Sequence, residues 1–201
     1  MMATNIEDFE LTVLRGRTLQ EDWFCDLIPP DIGIFLDIEK IFHNAKKDAF
    51  KELCKRKYPS KFYDLRSEHQ KTNAANLLDN MGIDFLLWIN DADLVAIDLT
   101  STQDNKFARE KLRKMPELLP LIRAIGERVG ANLCYGVVVQ WIIFSRQADE
   151  EIQDWMLEES FCDRAIEEFS SKFRTNLAKS EPCFRIKIHN FGWTDWGDEE
   201  E

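Results

Sequence analysis

Two aspartates stand where aspartates are costly. Residues 82–102, GIDFLLWINDADLVAIDLTST, form two apolar runs on either side of a short polar break; Asp84 opens the first run and Asp98 lies near the end of the second. A carboxylate embedded in an apolar strand is expensive unless it is paired, hydrogen-bonded or bound to a metal. The pair is therefore the first place to look for chemistry. Asp98 is followed by Leu99 and Thr100, so a hydroxyl side chain comes two residues after the second acid.

The elements around the pair follow from spacing. IDFLLWI (83–89) and LVAIDLTS (94–101) are short, apolar and bounded by turn residues, which predicts a buried β-hairpin about Asn90, Asp91, Ala92 and Asp93. Turn chemistry alone accounts for Asn90, Asp91 and Asp93. A symmetric turn between Asp91 and Ala92 pairs Asp84 with Leu99 and sends the two carboxylates to opposite faces. A shared site needs an offset of one residue, from an odd-length loop or a bulge.

Upstream, the 3.6-residue period from Ile38 to Leu53 predicts a helix to about Lys55 with Asp37 as N-cap, and a break at Tyr58, Pro59 and Ser60. A second helix is expected over 61–80, stopped by Gly82, and FELTVLRG (9–16) is a candidate short strand. Downstream, 106–129 is helical in pattern with restarts at Pro116 and Pro120, and CYGVVVQWIIF (134–144) is the strongest strand signal. Helices are expected over 148–180. CFRIKIHNF (183–191) alternates as an edge strand, with Arg185 and Lys187 toward water. The order predicts a mixed α/β sandwich, with a mixed central sheet flanked by helices.

Composition bounds what such a domain can be. The 201 residues suit one domain, with 1–8 and 193–201 expected to be loose termini. No apolar run reaches the roughly 18 residues of a membrane helix, and MMATNIEDFE is too acidic for a signal peptide, so a cytoplasmic protein without membrane association is expected. Five widely spaced cysteines without a CxxC pair, and three scattered histidines, favour free thiols over a zinc cage. No GxGxxG, Walker-type or GxSxG motif occurs, against nucleotide-binding and α/β-hydrolase chemistry.

The net charge of −11 hides an asymmetry. Residues 40–71 carry ten Lys or Arg against four acids, whereas 149–168 carry nine acids against Arg164. KKDAFKELCKRKYPSK (46–61), with Lys55, Arg56 and Lys57 at its centre, has the composition of a phosphate-tracking face, as it also has of a helix with a solvated lysine face. A second basic cluster, Lys106, Arg109, Lys111, Arg113 and Lys114, directly follows the aspartates. The tail FGWTDWGDEEE, with the acidic helix before it, has the character of a segment that binds a protein partner.

A helix bearing an acid, an aspartate opening one strand, a second acid in the next strand followed two residues later by a functional side chain, then a helix and a strand: this order resembles the PD-(D/E)XK, or restriction-endonuclease-like, nuclease superfamily. Asp84, the run Asp98-Leu99-Thr100 and the strand 134–144 carry the resemblance, over a nuclease-like core of about 61–144. It implies a restriction-endonuclease-like sandwich and phosphodiester hydrolysis, of DNA in the first instance, dependent on Mg²⁺ or Mn²⁺. Asp84 and Asp98 would be metal ligands, with Glu68 as the helical acid and Glu52 as second choice. Such an ion takes oxygen ligands, activates a water and neutralises charge on the attacked phosphate. Lys55, Arg56, Lys57, Arg109 and Lys114 would contact nucleic acid.

The sequence departs from the family in three respects. Thr100 stands where family enzymes carry lysine and cannot supply a positive charge, so Lys106 or Lys111 would have to replace it. The hairpin register must be offset, as above. The strand that commonly precedes the first aspartate has no place between Gly82 and Asp84, and must come from about 9–14 or 33–38. Without a lysine at the site, the chain would be a catalytically inactive interaction module. Gln140, polar within VVVQW, is expected to be a satisfied core or edge amide, although some nucleases of the superfamily place a glutamine near the acids.

Overall fold

The turn at Asn90 and Asp91 sets the geometry of the hairpin. Both residues adopt positive φ, 51° and 57°, a region that Asn and Asp tolerate better than most side chains. The Ala92 amide closes the turn on the Ile89 carbonyl at 3.1 Å. Ile89 pairs with Asp93, so the loop has the odd length of three residues, and the ladder continues through Trp88–Leu94 and Leu87–Val95 to Phe85–Ile97.

The computed structural model describes residues 5–11, 24–25, 28, 31–43, 47–65, 73–102, 104–142, 159–179 and 181–189. Among the described residues five strands form a mixed sheet in the order β1 (Ile34–Leu36), β2 (Phe85–Ile89), β3 (Asp93–Ser101), β4 (Leu133–Ile142) and β5 (Cys183–His189). The β1–β2 and β2–β3 pairs are antiparallel, and the β3–β4 and β4–β5 pairs are parallel. Every residue of β2 is buried, as its unbroken apolar run requires of a strand covered on both faces.

Among the described residues a 3-10 turn, Ile6–Phe9, and six α-helices accompany the sheet: α1 (Ile38–Ile41), α2 (Lys47–Lys57), α3 (Pro59–Asp64), α4 (Ala74–Asn80), α5 (Asn105–Val129) and α6 (Glu159–Ala178). Two cores lie on opposite sides of the sheet. Leu86, Trp88, Leu94, Ala96 and Val138 pack under α1–α5, while Phe85, Leu87, Val95, Val137, Val139 and Ile186 pack against Phe169 and Phe173 of α6. The architecture is an α/β sandwich, as the element order predicts.

Several local expectations change. The strand β1 falls inside 33–38 and supplies the antiparallel neighbour of β2, although it precedes the helices in the chain. For the expected strand 9–16, the described part contributes a single bridge from Glu10 to Leu36; 12–16 lie outside the described residues. The helix expected from Asp37 to Lys55 is two: Asp37 caps α1 through its side chain, but Phe42 leaves helical geometry at φ −114° and ψ 42°. The break expected at Tyr58, Pro59 and Ser60 falls at Tyr58, at φ −142° and ψ 61°, and Pro59 then opens α3, since a proline at the first turn lacks only an amide that would be unsatisfied anyway. The helix expected over 61–80 is also divided, because Asn73 takes extended geometry and caps α4 with its own side chain.

Pro116 and Pro120 do not restart a helix; α5 runs through both. They are exposed and lie one turn apart, so the Leu112 and Pro116 carbonyls deprived of a donor lie on the solvent side. The opposite face, with Met115, Leu118, Leu119, Leu121, Ile122 and Ile125, is buried. The burial of six large side chains, at about 1.5–3 kcal/mol each, outweighs two lost hydrogen bonds. No helix among the described residues is long and apolar enough to cross a membrane.

Candidate active site

Asp84 lies one residue beyond the β2–β3 ladder, and the three-residue loop brings it into line with Asp98. Two hydrogen bonds fix it there. Its amide donates to the Ile97 carbonyl at 2.8 Å, and its Oδ2 accepts from the Leu99 amide at 2.6 Å. The bonds bracket Asp98 from either side, so the two carboxylates meet rather than pointing to opposite faces. The offset that a shared site requires is present.

Asp98 is 6% exposed. Its Oδ1 accepts from Lys111 Nζ at 2.5 Å. Lys111 lies on α5 two turns after the cap, where Asp104 Oδ1 accepts from the Lys106 amide at 2.7 Å. The height of that helix over the sheet is set by small residues. A Cβ at Gly136 of β4 would fall 2.5 Å from Met115 Cγ, and one at Gly126 of α5 would clash with Cys134 Sγ. Close approach of α5 to β4 is thus what lets a lysine from the helix reach an acid on β3.

Gly82, at φ 88°, carries the chain from α4 into Asp84 and leaves Asp98 Oδ2 uncrowded, since a Cβ there would lie 3.8 Å from that oxygen. Among the described residues, neither Asp84 Oδ1 nor Asp98 Oδ2 has a hydrogen-bond partner. Each carboxylate thus spends one oxygen on a bond from the strand or the helix, Asp84 on the Leu99 amide and Asp98 on Lys111.

The electrostatics are those of two like charges out of water. Burial, and then the Asp98 carboxylate, push Asp84 up to about 8, against the opposing pull of the Leu99 amide and Lys111. Asp98 is raised as well, by burial, with Lys111 the main influence in the other direction. Asp79, on the last turn of α4, adds negative charge that raises both. Burial and the neighbouring charge thus favour the protonated form of Asp84, while the contact with Lys111 opposes the rise at Asp98.

The other expected site residues are placed as follows. Thr100 is 7% exposed in β3 and pairs with Gln140. Lys106 is exposed and contributes its backbone amide to the cap; of the two lysines, Lys111 is the one that reaches the carboxylates. Glu68 lies outside the described residues. Glu52 is exposed and pairs with Lys55 at 3.7 Å on the surface of α2. Arg56 and Lys57 are exposed at the end of that helix, and Arg109 and Lys114 are exposed on α5. The acidic stretch is described only from Glu159 on, and the tail 190–201 lies outside the described residues.

Of the two placements expected for a satisfied amide, core or edge, Gln140 takes the core one. It is fully buried, its Nε2 donates to the Thr102 carbonyl at 3.0 Å and its Oε1 accepts from Arg185 at 3.2 Å. By holding Thr102 it pins the joint between β3 and α5. Arg185 and Lys187 are half-buried rather than turned to water, because β5 lies parallel beside β4 with α5 against that face. Cys54 is buried, which pushes its thiol up to about 12, far from a nucleophile.

Two neighbours of the site have no signal in the sequence. Asp79 reads as one more residue of a helix before Gly82, and Phe107 as one more apolar residue of α5; only the docking of those helices brings them near Asp98. Among the described residues, no group of three or more His, Cys, Asp or Glu side chains is placed to hold a metal ion. The chain matches no protein-family model, no curated protein and no solved structure.

Proposed function

We propose that this chain is a divergent PD-(D/E)XK-type nuclease that hydrolyses phosphodiester bonds, of DNA in the first instance, with Mg²⁺ or Mn²⁺. The observation that carries the proposal is the junction of Asp84, Asp98 and Lys111: a half-buried and a buried carboxylate side by side across one strand pair, and one lysine on the second acid. A protein that needed only a stable sheet would gain by replacing such a group with apolar side chains.

The donor set fits a hard cation. Mg²⁺ is commonly bound by one or two carboxylates plus water and substrate phosphate oxygens, which is what Asp84 and Asp98 offer. A bound divalent ion would supply an activated water and charge neutralisation at the phosphate. Asp84 and Asp98 would hold that ion. Lys111 would leave Asp98 for the incoming phosphate and stabilise its developing charge, doing from the helix what the lysine missing at Thr100 does in the family. Exposed Arg109 and Lys114, on the same helix, would attract the strand.

The test is cleavage of supercoiled plasmid with Mg²⁺ or Mn²⁺ by wild type, Asp98→Ala and Lys111→Ala, alongside a Mn²⁺ thermal-shift titration, since a ligand of the folded state raises its stability. Metal-dependent nicking by wild type alone is expected, with a Mn²⁺ shift that Asp98→Ala lacks. Equal background from all three proteins and no Mn²⁺ shift would reject the enzyme and leave an interaction module on the same fold.

A further inference from the structure

Of the large apolar side chains exposed among the described residues, Phe107 stands at the candidate site. It is 46% exposed, in the first turn of α5 and one turn before Lys111. The Lys111 ammonium lies over its ring, 5.5 Å from the centroid, and the same ammonium is 2.5 Å from Asp98 Oδ1. The ring centroid is thus at most about 8 Å from Asp98 Oδ1.

The surroundings point to an anionic partner. In a chain of net charge −11, the ten residues 105–114 carry Lys106, Arg109, Lys111, Arg113 and Lys114 against Glu110 alone. An exposed aromatic face in a basic setting suits a nucleic-acid strand, whose phosphates take the charge and whose bases stack on the ring. A protein surface without such charge demand would leave the basic side chains without a use.

We infer that Phe107 is a stacking platform for an unpaired nucleobase next to the attacked phosphate, so that the site favours single-stranded or frayed ends over intact duplex. This rests on the phosphodiesterase proposal for the placement of the phosphate at Asp84 and Asp98. The distance is of the order that separates a base from the phosphate of its own nucleotide. A base inside a duplex has both faces covered by its neighbours, and must leave the stack to meet a side chain. The ammonium over the ring holds the aromatic face beside the phosphate position before any strand arrives.

The test measures binding of fluorescein-labelled oligo(dT), oligo(U) and a mixed-sequence duplex to the full chain with Ca²⁺, for wild type, Phe107→Ala and Phe107→Trp, with plasmid and single-strand cleavage in Mg²⁺ run in parallel. Phe107→Ala is expected to bind the single strands about tenfold more weakly, the effect of losing one base–aromatic stack, with duplex binding unchanged; Phe107→Trp is expected to restore single-strand affinity. Unchanged single-strand binding by Phe107→Ala, an equal loss on duplex, or no binding by wild type would overturn the platform. Cleavage with unaltered Phe107→Ala binding would reject the platform and keep the hydrolase; Phe107-dependent binding without cleavage would do the reverse. Because the ring is half in solvent, equal melting temperatures for the three proteins check that the fold is intact.

Discussion

Replacing Lys111 by methionine, which keeps the stem and deletes the charge, separates the energetic and chemical roles of the ion pair. At 2.5 Å and an effective dielectric constant of about 20, the Coulomb attraction is about 6–7 kcal/mol. Much of that is offset by desolvation, and breaking a fully buried pair costs about 3–5 kcal/mol. Lys111 keeps 27% of its side chain in solvent against 8% for Asp98, so partial screening brings the expected cost to about 2 kcal/mol. For a chain of this length that lowers the melting temperature by about 4–8 °C. The loss depends on pH with a definite sign. Without Lys111 the Asp98 carboxyl is raised further, so the variant falls behind wild type as pH climbs through the carboxylate range and draws level in acid. Thermal unfolding of both proteins at pH 4 and pH 8 reads this directly. Under the proposed function, Lys111→Met also loses about 10²–10³ in cleavage rate, yet keeps the Mn²⁺-induced stabilisation, because the cation that competes for Asp98 is gone. A variant as stable as wild type at pH 8 would show that the pair carries no net energy. One that cleaves at the wild-type rate would remove Lys111 from the chemistry.

Two further outcomes follow from the same geometry. Asp84 is held at about 8 against an ordinary 3.8, so the folded state keeps a proton that the unfolded state has lost, and this group's contribution to stability declines between about pH 4 and pH 8. Asp84→Asn, whose amide oxygen can still accept from Leu99, should remove that decline and exceed wild type at pH 8 by about 1–3 kcal/mol in denaturant unfolding; parallel pH profiles for the two proteins would count against the buried pair. Gly136→Ala sets a Cβ 2.5 Å from Met115 Cγ and 2.8 Å from its Sδ, which should cost about 1–3 kcal/mol and lift α5 away from β4, and Met115→Ala in the same chain should recover part of the loss.

The chemical suspects were legible in the chain itself. Asp84 and Asp98 stand out because a carboxylate in an apolar strand needs a reason, and the apolar runs around them fix the hairpin by their length and turn residues. The central strands, the capping of α1 by Asp37 and the mixed α/β order follow from local pattern in the same way. What the pattern could not give was relation. The offset between Asp84 and Asp98 depends on one extra loop residue, set by two positive-φ positions whose side chains permit several turn types. The continuity of α5 through Pro116 and Pro120 was decided by the buried face opposite them. The selection of Lys111 over Lys106 was decided by how closely Gly126 and Gly136 let that helix approach β4. Spacing along a strand specifies a face, whereas the meeting of an acid on β3 with a lysine two turns into a helix depends on packing between elements, which no local sequence pattern encodes.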